Sequence, residues 1–138
     1  MSHATAWESD KMANAKPQLK WDHVHIRTAD PDATAQWFAD MLGAEIVPSP
    51  TRIDVRLGGN SIFLTPVVAG DGINPPPATP YQGLDHFGLA VQGLDALVAD
   101  LRAKGVHFTG DVHQVRPGLR VCFIRGPQGI SIELLERT

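Results

Sequence analysis

Residues 83–93 read GLDHFGLAVQG, and residues 21–28 read WDHVHIRT. Both alternate as strands do, and each opens on an Asp-His pair, so the two stretches mark the starts of two copies of one unit. A strand with one face in a core rarely carries an imidazole there unless a hydrogen bond or an ion satisfies the ring. His86 and His23 are therefore the residues to explain.

The pattern extends outward from each pair in the same order. After WDHVHIRT, residues 29–43 (ADPDATAQWFADMLG) predict a helix with Asp30 as N-cap, Pro31 at its first position and Gly43 as its stop. Trp37, Phe38, Met41 and Leu42 fall on one face of it. Strand-like runs follow at residues 44–47 (AEIV), 52–57 (RIDVRL) and 61–67 (SIFLTPV), the last two joined by the turn GGN. Residues 69–82, AGDGINPPPATPYQ, have the Pro and Gly density of a linker. Then LDHFGLAV predicts a strand, and LDALVADLRAKG a helix with Leu94, Leu97, Val98 and Leu101 on one side and Gly105 as its close. VHFTGDV, GLRVCFIR and ISIELLE supply three more strands, with GPQG as a turn between the last two. The expectation is an α+β chain of two tandem βαβββ modules, residues 21–68 and 83–137, in one domain over residues 21–138. Residues 1–20 are polar and without periodicity, and are expected to form a loose arm.

Aligning the two units pairs Asp22-His23 with Asp85-His86, and Ser61-Ile62 with Ser131-Ile132. It also sets Phe63 opposite Glu133, an acidic residue within an apolar strand. By alternation Glu133 shares a face with Ser131 and Leu135, while His86 shares one with Gly88 and Ala90, whose small size leaves room for a ligand. Two histidines and a carboxylate can then converge on one cavity. Each has a plainer reading, His86 as a hydrogen-bonded core residue and Glu133 as an edge charge. His25 falls on the face of His23, where it is a candidate base, a substrate hydrogen-bonding group or simply exposed. Arg27, Asp54 and Arg56 read as surface charges or ion pairs, Tyr81 as turn packing, and His3, His107 and His113 as surface or loop residues.

Composition removes several functions. The chain has 138 residues, of which 43% are hydrophobic and 20% charged, and a formal net charge of -3, so it is long enough for a real core and carries no basic footprint for nucleic acid. No apolar run is long enough to span a bilayer, and the N-terminal stretch lacks the apolar core of a signal peptide. Cys122 is the single cysteine and reads as a small buried thiol, which suits a reducing compartment. The expected location is the cytoplasm.

The paired βαβββ units, the Asp-His opening of each and the closing GPQGISIELLE resemble the vicinal oxygen chelate superfamily. That group includes glyoxalase I, methylmalonyl-CoA epimerase, extradiol dioxygenases, fosfomycin-resistance enzymes and bleomycin-binding proteins. The resemblance covers residues 21–137. It implies curved sheets forming a cleft around one divalent metal ion (iron, manganese, zinc or nickel), with ligands from the first and last strands of the units. Those positions carry His23, Phe63, His86 and Glu133 here, so the implied ligands are His23, His86 and Glu133. Phe63 cannot bind a metal and becomes part of the substrate wall. A His, His, Glu set leaves coordination positions open and keeps the ion a Lewis acid toward a substrate with neighbouring oxygens. If a proton is transferred, Glu133 or His25 must act as base. The first expectation is a metal-dependent lyase or isomerase of glyoxalase type acting on a small molecule. A non-haem iron extradiol dioxygenase and a metal-free small-molecule binding protein of drug-resistance type are the alternatives. Relatives of this kind often pair through helices or exchange units, so a homodimer is expected.

Overall fold

The fold is taken from a computed structural model that describes residues 17–138. Most of the expected arm, residues 1–16, lies outside the described residues, and residues 17–20 carry no helix or strand. The first unit runs β1 (His23–Thr28), α1 (Pro31–Leu42), β2 (Glu45–Pro48), β3 (Ile53–Leu57) and β4 (Asn60–Pro66). The second runs β5 (Phe87–Ala90), α2 (Leu94–Ala103), β6 (His107–Phe108), β7 (His113–Arg116), β8 (Leu119–Arg125) and β9 (Ser131–Arg137). Strand β7 is an addition to the expected plan. It pairs with β8 through an irregular register, and all four of its residues are exposed, so neither face of it shows the burial that makes a strand legible in sequence.

Each unit makes one sheet. The first has the order β1-β4-β3-β2 and the second β5-β9-β8-β6, so β1 and β5 are equivalent edge strands. Both pair in parallel with the last strand of their own unit, and the registers coincide: Val24 faces Ile62 and Ile26 faces Leu64, just as Phe87 faces Ile132 and Leu89 faces Leu134. The sheets thus place Phe63 and Glu133 at matching positions, opposite His25 and Gly88 respectively.

One face of each sheet packs on its helix. Phe38, Val55, Ile62 and Leu64 from the first unit join Leu101, Ile124, Ile132 and Leu134 from the second in one buried cluster. Helix α1 starts where expected because the Asp30 carboxylate accepts from the Ala33 amide at 3.0 Å and Pro31 needs no amide partner. It ends at Gly43, whose φ of 70° lets its amide reach back to the last turn. Two buried hydroxyls, Thr28 and Thr34, satisfy each other at 2.7 Å and tie β1 to α1. Helix α2 has no cap of its own at Gly93. Glu136 of β9 supplies one, its Oε2 accepting from the Gly93 and Leu94 amides at 2.9 Å each while Arg120 donates to Oε1 at 2.7 Å. No helix of the described residues is long and apolar enough to cross a membrane.

Candidate functional site

His23 opens β1, and its Nδ1 lies 2.7 Å from Asp22 Oδ2. His86 directly precedes β5, and its Nδ1 lies 2.7 Å from Asp85 Oδ2. An ionised carboxylate only accepts, so Nδ1 carries the proton in both rings and Nε2 presents its lone pair outward. The Asp-His dipeptide therefore does the same local work twice. It fixes a tautomer and an orientation suited to a metal ligand or a base.

A phenyl ring holds each imidazole from a second direction. His23 stacks on Phe63 with ring centroids 3.9 Å apart and planes 23° from parallel, whereas Phe123 meets His86 edge-on at 4.9 Å. Across the His86 ring, Nε2 is 3.8 Å from Glu133 Oε1, too long for a hydrogen bond. Two donor atoms that each sit about 2.1 Å from a shared ion lie roughly 3 to 4 Å apart, so this pair fits a divalent cation. The space that Gly88 was expected to leave for a ligand is taken up by Glu133 and Leu135. A Cβ there would come within 3.2 Å of Glu133 Oε1 and 3.3 Å of Leu135 Cδ2. The missing side chain makes room for the carboxylate.

Phe63 has a second neighbour that sequence reading missed. The Arg52 guanidinium carbon lies 3.5 Å from the Phe63 centroid, and Arg52 Nε donates to Asp54 Oδ1 at 2.7 Å. Two groups this close to one centroid cannot share a face, so Phe63 is sandwiched between His23 and Arg52. The usable signal was strand pairing, because Asp54 stands opposite Phe63 and an arginine two residues before it can reach the same face. His25 Nε2 is 2.7 Å from Thr65 Oγ1. Its pKa is held below the ordinary histidine value, by desolvation first and then chiefly by the positive charge of Arg27, which favours the neutral ring at pH 7.

The structure thus brings His86 and Glu133 together and places His23 on the other sheet, stacked on Phe63. Among the described residues no group of three His, Cys, Asp or Glu could hold a metal ion. Of the remaining candidates, Arg27 and Arg56 are exposed, Asp54 pairs with Arg52, and Tyr81 sits in the segment between the units. His107 and His113 are exposed strand residues and not loop residues, while His3 lies outside the described residues. Cys122 is buried, and burial pushes its thiol pKa up, away from nucleophilic use.

With this geometry in view, the comparisons are specific about family and broad about reaction. The sequence model of the Glyoxalase/Bleomycin resistance protein/Dioxygenase superfamily matches residues 20–134. A lactoylglutathione lyase of Arabidopsis thaliana is 27% identical over 91% of this chain and 50% of its own length, so the chain spans about half of that relative. A glyoxalase family protein from Bacillus cereus superposes with a TM-score of 0.73 at 20% identity, covering 90% of this chain and 97% of the other. A fosfomycin resistance protein from Listeria monocytogenes superposes with a TM-score of 0.69 at 17% identity, covering 88% and 96%. These two structures share the fold with this chain, one named as a glyoxalase family protein and the other as a fosfomycin resistance protein.

Proposed function

Because the chain belongs to the Glyoxalase/Bleomycin resistance protein/Dioxygenase superfamily, we propose that it is a divalent-metal-dependent lyase or isomerase of glyoxalase type, acting on a small substrate with neighbouring oxygens. The observation that carries this reading is the pair of imidazoles whose Nδ1 atoms are both taken by a preceding aspartate, one of them with Glu133 Oε1 at 3.8 Å from its Nε2. His23, His86 and Glu133 would hold the ion, which when bound supplies Lewis acidity toward the substrate oxygens. His25 is the base. Thr65 Oγ1 accepting from Nε2–H leaves the lone pair on Nδ1 of a ring kept neutral by its surroundings, and that atom takes the substrate proton.

The ligand set is completed by a second copy of the chain. His23 does not meet His86 and Glu133 within one chain, and both edge strands, β1 and β5, are hydrogen-bonded on one side only. Trp21, two residues before His23, is 78% exposed, as expected of a surface that a partner covers. A homodimer with His23 from one copy and His86 and Glu133 from the other follows. The cytoplasm is the proposed compartment, supported by the single buried thiol.

The test is elemental analysis of the dimer prepared with anaerobic handling. Parent protein should hold stoichiometric metal, and His23→Ala, His86→Ala and Glu133→Ala should each lose it. Full metal content in His86→Ala refutes the assignment. Phe63 in place of a fourth ligand favours one other reading, an extradiol-type dioxygenase, since it leaves a position for O₂. Turnover of hemithioacetals against catechols separates the two. Metal-free parent protein with neither activity would turn the reading toward a small-molecule binding protein.

A further inference from the structure

The Pro-rich stretch that separates the units does more than connect them. Together with the edge strands β1 and β5 it lines a cavity of about 980 Å³ that is open to solvent on one side. That is the size of a pocket for a drug-sized molecule. Ile73, Pro76, Tyr81, Phe87 and Ile130 give it apolar walls. At one end Asp85, His86, Arg125 and Ser131 line it. A smaller cavity of about 150 Å³ continues from this end between Thr79, Tyr81, Asp85, Arg125 and Ser131.

The lining as a whole has a sign, two guanidiniums, Arg27 and Arg125, standing against one carboxylate, Asp85. Asp85 is engaged by the His86 ring at 2.7 Å. Arg125 donates only to the Gly129 carbonyl, at 3.1 Å, and makes no ion pair among the described residues. Arg27 also lines the cavity and likewise has no ion pair there among the described residues. Two guanidiniums without an ion pair against one carboxylate that a ring already engages, with the Ser131 hydroxyl at the same end as Arg125, suit an anionic group on an apolar body. The chamber reaches the candidate site through His86, which lines it and whose Nε2 lies 3.8 Å from Glu133 Oε1.

We propose that this chamber binds an amphipathic organic anion: an apolar or planar body under the Pro-rich roof, with its carboxylate, sulfonate or phosphate on Arg125 and Ser131. This molecule is the substrate of the adjoining site, an identification that rests on the metal-dependent reading above, whereas the binding itself does not. Two fluorescent probes with the same ring system test it, anilinonaphthalenesulfonate and its neutral counterpart phenylnaphthylamine, titrated into metal-stripped full-length protein. The anionic probe should bind once per chain and about tenfold more tightly than the neutral one. Arg125→Gln should remove that preference, and Tyr81→Ala should weaken both probes alike. Should Arg125→Gln fail to fold by circular dichroism, Ser131→Ala is the second variant, with a smaller loss of the same preference. Equal affinity of the parent for both probes overturns the proposal, as does a preference that survives in a folded Arg125→Gln. Parent metal content, measured separately, keeps the two readings apart: anion preference without metal refutes only the metal site, and metal without anion preference refutes only the chamber.

Discussion

The first unit and the second share a strand register, and one matched position of it separates their chemistry. Phe63 and Glu133 stand at matching places on β4 and β9, each near the histidine that opens its unit. In the first unit the position is used for packing, with His23 on one side of the phenyl ring and Arg52 on the other. In the second it carries the carboxylate that faces His86 Nε2. The backbone plan is thus symmetric and the chemistry is not. The helices differ in the same way, α1 being capped by Asp30 one residue before it and α2 by Glu136, which lies 42 residues after its first residue. Duplication fixes where side chains point, and individual substitutions decide what they do there.

The largest effect should come from testing whether the two units are energetically separate. Phe38 and Leu134 are fully buried, one from each unit, in a cluster that both units share. Phe38→Ala should cost about 3 to 5 kcal/mol and Leu134→Ala about 2 to 5. In urea each should shift a single unfolding transition. Two transitions, with only one of them moved by each substitution, would break the shared core into independent halves.

The second experiment makes the first unit chemically like the second. Phe63→Glu places a carboxylate at the position matching Glu133 and removes the ring that stacks on His23. If the ion binds among His23, His86 and Glu133, a fourth ligand should tighten it by about tenfold, read by competition with a chelating dye. It should also suppress catechol turnover if that activity exists, or raise hemithioacetal turnover if glyoxalase chemistry does. No change in metal affinity or either activity would place Phe63 outside the site.

How much of this was legible beforehand follows from what each feature depends on. Helix α1 was readable because its cap, its first-position proline and its stop glycine are adjacent in sequence to the apolar face that they bound. The equivalence of Phe63 and Glu133 was readable because a repeat carries its own alignment. Strand β7 was not, since it buries nothing. Nor were Arg52 above Phe63 and Phe123 beside His86, because they depend on antiparallel pairing, which places residues far apart in sequence on one face. Gly88 was read as space for a ligand, and its neighbour turned out to be Glu133. A small residue announces room without naming the occupant.

Gly88 offers a finer probe of the same asymmetry. An alanine Cβ would lie 3.2 Å from Glu133 Oε1 and 3.3 Å from Leu135 Cδ2, both at the ends of flexible side chains that can give by a few tenths of an ångström. Gly88→Ala should therefore fold while displacing the carboxylate from His86. The expected result is a metal affinity weaker by about threefold to tenfold, with thermal stability close to the parent. Unaltered affinity would mean that Glu133 does not need the place it occupies beside Gly88.

The smallest effect concerns how each helix is started. Asp30→Ala removes a local cap from α1 and should cost about 1 kcal/mol. Glu136 caps α2 from β9, and its pKa is held below the ordinary 4.5, chiefly by the hydrogen bond from Arg120 and next by that from the Leu94 amide. A carboxyl group whose folded pKa is depressed contributes stability that is fully present above its unfolded value and is lost as pH falls through the folded one. Glu136→Gln should therefore lower the melting temperature near neutral pH, where the parent carboxylate is ionised and accepts from both amides. As pH falls below 4.5 and through the depressed folded value, the parent loses the same charge, and the two melting curves should converge. A gap that stays constant from neutral pH into acid would show that Glu136 acts through shape and neutral hydrogen bonding, leaving α2 without the electrostatic anchor that sets its start apart from that of α1.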